Sequence, residues 1–251
     1  MIKVFAGIGA WGVPDVSPPC LKLLTYLKMA NIPCDVRSGD PRKGPTKKIP
    51  YLVDEDGTCI GDSGFIIEHL KKKHGDPLDG RLSASERATG HLIRRTVEDS
   101  LYWAAVHSRW LTDEGAAAMR KVFAPVLPPV VGGLVWNMIK GGTRKSAWGQ
   151  GIARHSPDNA IAIGKADLDA LSVTLGASRY LFGDEPTSYD ACLYAIVANV
   201  TKFPVNNRLT DYARSFENLV AFCDRVEARY WKDSPPAPAK IAATVEAAAS
   251  P

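Results

Sequence analysis

The sequence predicts an α/β domain of about 80 residues followed by a larger, all-helical domain. Three observations carry this. Strand and helix signals run β-α-β and then β-β-α over the first eighty residues. From Gly75 to Ser85 the composition turns to Gly, Asp, Pro and Ser, as a linker does. Beyond it strand signals all but vanish, while capping boxes and apolar stripes of helical period take over. The predicted divisions are 1–80, 86–232 and an Ala/Pro-rich tail at 233–251.

Ile2-Lys3-Val4-Phe5-Ala6 reads as the first strand. Cys20, Leu23, Leu24 and Leu27 then recur at i, i+3, i+4 and i+7, the stripe of an amphipathic helix. Ser17 suits its N-cap, and Pro18 its first turn, where no backbone N–H is needed. Asn31-Ile32-Pro33 ends the helix, and Cys34-Asp35-Val36 begins a second strand. Tyr51-Leu52-Val53 and Thr58-Cys59-Ile60, joined by Asp54-Glu55-Asp56-Gly57, form a β-hairpin, with a helix from about Ser63 to His74 behind it. In the second domain Ser83 and Glu86 cap a long helix reaching about Trp110, and another covers Glu114 to Phe123. Residues 125–151, rich in Pro and Gly, give no clear element. Ser156-Pro157 opens a helix with Ile161, Leu168, Leu171 and Leu175 on one face; Thr187 and Asp190 cap the apolar run from Ala191 to Val200; a last helix spans about Phe216 to Tyr230.

The chain has 251 residues, 45% hydrophobic and 23% charged, enough to bury a sizeable core. Its 31 Lys+Arg against 27 Asp+Glu leave +4, far from the basic footprint of a nucleic-acid binder. No apolar stretch approaches the ~20 residues of a membrane span, and the N-terminus lacks the signature of a secretory signal. Five cysteines, Cys20, Cys34, Cys59, Cys192 and Cys223, show neither CxxC nor metal-ligand spacing. The expectation is a soluble cytoplasmic protein with reduced thiols, no metal, no nucleic-acid partner and no membrane span.

Gly7-Ile8-Gly9-Ala10-Trp11-Gly12 is a literal G-x-G-x-x-G after a strand, with Asp35 where a ribose-binding acid would be expected. The dinucleotide mechanism needs that turn to run straight into a helix whose N–H groups hold a pyrophosphate. Val13-Pro14-Asp15-Val16 intervenes, and no further βαβ unit follows residue 80, so the glycines are read as a flexible loop.

Three other features converge on chemistry. Ser17 heads the first helix, where unpaired N–H groups and the dipole favour an anion such as a thiolate. Ile49-Pro50 precedes a strand; a cis bond there would turn the backbone groups of Ile49 toward a peptide-like ligand. Asp62-Ser63 sits at a strand-to-helix junction, where a hydroxyl and helix N–H groups accept a carboxylate. Singly, each has a plain structural reading as cap or turn. Together, in this fold, they fall on one edge of the sheet.

With these residues in view, the sequence resembles the glutathione transferase superfamily. Ser17-Pro18-Pro19-Cys20-Leu21-Lys22, Lys48-Ile49-Pro50-Tyr51-Leu52, and Ile60-Gly61-Asp62-Ser63 with Ile66-Ile67 match its N-terminal landmarks, and Thr187-Ser188-Tyr189-Asp190-Ala191 resembles its helical-domain capping box. Residues 150–156 and 217–225 are similar to the failed-axon-connections/metaxin-like branch. The resemblance implies a thioredoxin-like first domain, a helical-bundle second domain and conjugation of glutathione, as co-substrate, to a small apolar electrophile, a detoxification reaction. Carried over by position, Ser17 would be the catalytic hydroxyl, Ile49 with Pro50 the backbone clamp, and Asp62 and Ser63 the γ-glutamyl contacts, with Lys47 and Lys48 candidates for the glycine carboxylate. Trp103, His107 and Trp110, at i, i+4 and i+7, would line an acceptor pocket with Trp11, or else be core or dimer-contact residues. Family members are commonly dimers, so a homodimer is an expectation too.

Two alternatives stay open. Members of the branch are not uniformly active transferases, and some relatives serve as membrane-associated import components, so a catalytically silent glutathione-binding or metaxin-like scaffold role is one. The other is a thiol reductase dependent on Cys20. Ser-Pro-Pro-Cys resembles a redox CxxC whose first cysteine has become Ser17, and the apolar stripe argues that Cys20 is buried.

Overall fold

β1 (Ile2–Ala6) buries Ile2, Val4 and Ala6 and turns Lys3 and Phe5 to the other face, as its alternation requires. In the computed structural model, which describes residues 1–232, it lies inside a four-stranded sheet of order β2-β1-β3-β4. The tail predicted at 233–251 lies outside the described residues. β2 (Cys34–Ser38) runs parallel to β1, so the chain must cross over, and α1 (Pro18–Met29) is the crossover. β3 (Tyr51–Val53) and β4 (Cys59–Gly61) form the predicted hairpin, antiparallel to β1 and to each other. α2 (Ser63–His74) closes the domain.

α1 is buried on more than its apolar stripe: Leu21, Lys22, Thr25 and Tyr26 are inside as well. The reason is a second covering layer. α1 packs against α2 and, most extensively, against α7 (Ser188–Thr201) of the helical domain. Twelve of the fourteen residues of α7 are buried, as expected of a helix that is apolar all round. One hydrophobic cluster therefore runs from Val4 and Leu52 through Leu23 to Leu193, Ile196 and Phe222.

The helical domain begins with α3 (84–111), a continuous helix opened by the predicted Ser83–Glu86 capping box. Within it the turns at Thr96–Leu101 and His107–Leu111 widen to π geometry. α4 (Asp113–Phe123), α6 (Pro157–Leu175), α7 and α9 (Glu217–Tyr230) fall where the sequence places them. Two helices were not foreseen: α5 (Gly132–Gln150), inside the Pro/Gly-rich region, and α8 (Arg208–Arg214). Trp136 and Ala147 anchor α5 from one side.

Polar groups tie the domains at the linker. The buried Asp79 accepts from the Ser188 N–H at 2.7 Å, from the Ser188 hydroxyl, and from Lys71 at 2.6 Å. Asp190 accepts the N–H groups of Thr187 and Leu181, both at 2.8 Å. Burial raises its pKa to about 6 against those hydrogen bonds. No helix among the described residues is long and apolar enough to cross a membrane.

Candidate active site

Sheet register brings the predicted residues together. Phe5 pairs with Tyr51, and Tyr51 with Gly61, so the C-terminal end of β1, the start of β3 and the end of β4 share one edge. Ser17 at the head of α1, Ile49-Pro50 before β3 and Asp62-Ser63 after β4 all emerge there. The Ile49–Pro50 peptide bond is cis. Asp62, at φ 70°, caps α2 by accepting the Gly64 N–H at 2.8 Å through one carboxylate oxygen. Ser63 is buried beside it.

Ser17 occupies the N-cap of α1 but makes no side-chain capping bond. Pro18 and Pro19 fill the first two helical positions and have no N–H to offer, which leaves the Cys20 N–H at the third position as the one capping partner in the first turn. This corrects the expectation of several free N–H groups around the hydroxyl. Cys20 is the first helix residue with one. The hydroxyl makes no capping bond, and the helix group it acts on is the buried Cys20 thiol.

Ser17 is held through its backbone. Its N–H donates to Asp15 Oδ1 at 2.8 Å, and the Gly7 N–H donates to Asp15 Oδ2 at 2.7 Å. A Cβ on Gly7 would lie 2.7 Å from that carboxylate, so the approach needs glycine. Asp15 is fully buried, and desolvation raises its pKa to about 7, with the Ser17 and Gly7 N–H groups working the other way. Cys20, also fully buried, has its thiol pushed up by burial and by the charge of Asp15, against a smaller opposing effect of the Ser17 side chain. A thiol so placed is a packing group, which removes the support for a Cys20-dependent reductase.

The glycine-rich loop has its own structure. Ala10 and Val13 exchange backbone hydrogen bonds at 3.2 and 2.8 Å, and the Val16 N–H donates to the Ile8 carbonyl at 2.9 Å. The tip, Trp11 at φ 37° and Gly12 at φ 83°, has the left-handed pair of a tight hairpin. The loop folds back on itself instead of presenting its N–H groups to a pyrophosphate, in keeping with the rejection of a dinucleotide site.

Three residues missing from the sequence reading fix this loop to the helical domain. The buried Arg109 donates to the Val16 carbonyl at 3.3 Å, to Asn199 Oδ1 at 3.1 Å and to the Asn199 carbonyl. Its guanidinium also lies 5.7 Å from the Trp11 ring centre and 5.2 Å from that of Phe203. Asn199 in turn donates to the Asp15 carbonyl at 3.1 Å. Burial lowers the Arg109 pKa to about 10, which leaves it charged at neutral pH. A full charge inside the apolar stripe of α3 was the available signal.

Beside the loop tip lies an open cavity of about 540 Å³. Its wall is mostly apolar, with Ile8 and Trp11 from the loop, Val122 and Val126 from the α4 region and Val205 beyond α7; Glu114 and Lys121 are its charged groups. Of the residues predicted for an acceptor pocket only Trp11 lines it. Trp110 stacks on Trp136 at 5.6 Å and meets Phe123 at 5.7 Å. Trp103 packs against the cluster of Val106, Ala147 and Ile152. His107 is buried, and desolvation lowers its pKa. Only His107 is inside the helical domain; Trp103 and Trp110 are half-buried and pack onto its apolar clusters, away from the cavity.

Lys48 is exposed, and Lys47 donates to the Arg42 carbonyl at 2.9 Å. Arg42 is occupied by Asp40 at 2.9 Å, so the positive charge near this edge without an acidic partner among the described residues comes from Lys43, Lys47 and Lys48. Among the described residues no group of three or more His, Cys, Asp and Glu side chains could hold a metal ion.

Family comparisons agree with this arrangement. A glutathione S-transferase N-terminal domain model matches residues 18–115, and a glutathione S-transferase C-terminal domain model matches 164–226. The chain is 34% identical over 238 residues to the isoprene-epoxide glutathione S-transferase of Rhodococcus sp. (strain AD45), covering 92% of this chain and 99% of that one. It is 28% identical over 245 residues to metaxin-1 of Macaca fascicularis, covering 92% of this chain and 75% of the relative. In structure it is similar to a glutathione S-transferase of Methylobacterium radiotolerans in complex with glutathione sulfonate, with a TM-score of 0.60 at 19% identity over 97% of this chain and 99% of that one. A relative matched nearly end to end, and transferase models on both domains, mean that this chain belongs to the glutathione S-transferase superfamily, in its metaxin-like branch.

Proposed function

We propose that the protein conjugates glutathione to a small apolar electrophile, with Ser17 activating the thiol. The observation that carries this reading is the juxtaposition of a serine hydroxyl free of capping duty with a loop that walls an apolar cavity of about 540 Å³. Glutathione lies along the sheet edge. The backbone of Ile49, preceding Pro50, pairs with its cysteinyl part, Asp62 and Ser63 hold the γ-glutamyl end, and Lys47 and Lys48 face the glycine carboxylate. The Ser17 hydroxyl donates a hydrogen bond to the sulfur and, with the positive end of α1, stabilises the thiolate. Lowering a thiol pKa of ~8.5 by about two units takes roughly 2.7 kcal/mol, within reach of one charge-assisted hydrogen bond and a helix terminus. The Rhodococcus relative's name points to a small epoxide as electrophile. There the thiolate forms a C–S bond, the C–O bond of the ring breaks, and the resulting alkoxide takes a proton from solvent.

The test is a glutathione thermal shift with a conjugation assay on a small epoxide, using wild type, Ser17→Ala and Cys20→Ala. Ser17→Ala should keep the thermal shift, move the midpoint of the pH–rate profile up by about one to two units, the remainder staying with the helix terminus, and slow turnover at pH 7 by about three- to twentyfold, following the thiolate fraction. Cys20→Ala should conjugate like wild type. Loss of activity in Cys20→Ala alone overturns the mechanism, and absence of any thermal shift overturns the glutathione site.

The similarity to metaxin-1 supports a second reading, a glutathione-binding protein without turnover. It predicts the thermal shift with no conjugation in wild type.

A further inference from the structure

The net charge of +4 hides a concentrated block. Residues 115–157 contain Arg120, Lys121, Lys140, Arg144, Lys145 and Arg154 and no acidic residue, so the other 25 basic residues face all 27 acidic ones in the rest of the chain. α5 lies in the middle of this block. Its inner side is set by Gly132, Trp136 and Ala147, which are buried. Positions 134, 138, 141, 145 and 148 recur at alternating steps of four and three and therefore form the opposite line.

That outer line is not the polar face a solvated helix ordinarily presents. Leu134 is 64% exposed, Met138 69% and Trp148 56%, and Val130, one turn upstream, is 96% exposed. Lys145 shares the line, Arg144 is exposed beside it, and the Arg154 guanidinium sits 5.5 Å from the Trp148 ring centre. Apolar side chains, a tryptophan at the margin and cations free of acidic neighbours on the same helix are what an interfacial helix shows to a lipid surface.

We propose that the outer face of α5 docks on an anionic lipid bilayer, lying in the interface without crossing it. The charge selects the occupant. A second copy would set one cationic face against another. The apolar groups stand along a convex ridge of about 28 Å for nineteen residues, which a planar interface accepts directly. None of Leu134, Met138, Arg144, Lys145 and Trp148 lines the cavity at the loop tip, so the surface is separate from the proposed transferase site.

The test is co-sedimentation of the full chain with phosphatidylcholine vesicles containing about 30% phosphatidylserine, and with pure phosphatidylcholine vesicles, at about 50 and about 500 mM salt. Wild type should partition at least tenfold more onto the anionic vesicles at low salt. At roughly fivefold per cation, Arg144→Gln with Lys145→Gln should lower that partition roughly 25-fold. Leu134→Ser with Met138→Ser should abolish the fraction that survives high salt. Both double variants should keep the wild-type melting temperature, as exposed substitutions do. Failure to bind vesicles, equal binding to both kinds, or indifference to both double variants overturns the proposal. So does a soluble acidic polypeptide, polyglutamate, that binds where vesicles do not, or a dimer in solution that Leu134→Ser with Met138→Ser dissociates.

Discussion

Asp15→Asn isolates the carboxylate that holds Ser17. In the wild type each oxygen accepts one backbone N–H, from Ser17 at 2.8 Å and Gly7 at 2.7 Å. Its pKa rises from 3.8 to about 7 because burial outweighs those bonds. Between these values the folded chain keeps a proton that the unfolded chain has lost, so stability must fall as pH rises. The slope is at most about 1.4 kcal/mol per pH unit, and the loss reaches about 4 kcal/mol above pH 7, as an order of magnitude. Asparagine carries no such cost and, like the protonated acid, keeps one good acceptor oxygen for two N–H groups. The variant should therefore match wild type within about 1 kcal/mol near pH 4 and gain on it steadily up to pH 7, with no further change above. Urea unfolding of both proteins at unit steps from pH 4 to 8 measures the difference, and the other titrating groups cancel. A difference independent of pH across this range would show that the Asp15 pKa is not raised, the N–H groups matching or outweighing burial.

Three further outcomes follow from the site. Arg109→Met should destabilise the fold by about 2–4 kcal/mol, because the Val16 carbonyl and the Asn199 side chain lose their donor inside the protein; Arg109→Lys, without the planar fork, should recover only part in the same urea titration. Val122→Trp fills the cavity and should raise the KM for the epoxide at least tenfold while leaving the glutathione thermal shift unchanged, which steady-state kinetics checks against each substrate in turn. Ser63→Ala removes a buried hydroxyl offered to a charged group and should weaken glutathione binding by about 10- to 100-fold with kcat largely kept, as calorimetry and saturation kinetics would show.

What could be read from the sequence was what is encoded locally. Ser17, Pro50 and Asp62 stand at the ends of elements, where capping and turn chemistry limits which residues fit, and β-sheet register then places those ends side by side. The cavity is a different kind of object. Its walls come from residues near 10, near 120 and near 205, and no local pattern connects them. The stripe of Trp103, His107 and Trp110 showed which side of α3 is apolar. Periodicity does not say whether an apolar side meets a cavity or a filled core, and here Trp136 fills the space. α5 escaped detection because Gly132, Gly133, Gly141, Gly142 and Gly149 depress its intrinsic propensity, and burial of Trp136 and Ala147 supplies what the local sequence lacks.

Arg109 shows how far the two domains depend on each other. A guanidinium buried without a carboxylate can persist only if carbonyl oxygens and aromatic faces surround it, and both kinds of partner come from elsewhere in the chain. The Val16 carbonyl and Trp11 belong to the loop of the first domain, Asn199 and Phe203 to the end of α7 and the turn after it. The loop that positions Ser17 is thus shaped by the helical domain, and Asn199 reaches back to the Asp15 carbonyl to complete the connection. A first domain expressed alone would expose the α1 face that α7 now covers and would lose every partner of this loop beyond residue 80. Its Ser17 hydroxyl would have no fixed position, although the three landmark segments would all be intact. The geometry proposed to activate the thiol is therefore a property of the seam between the domains, and mutations on α7 far from the proposed glutathione site should act on kcat through the loop.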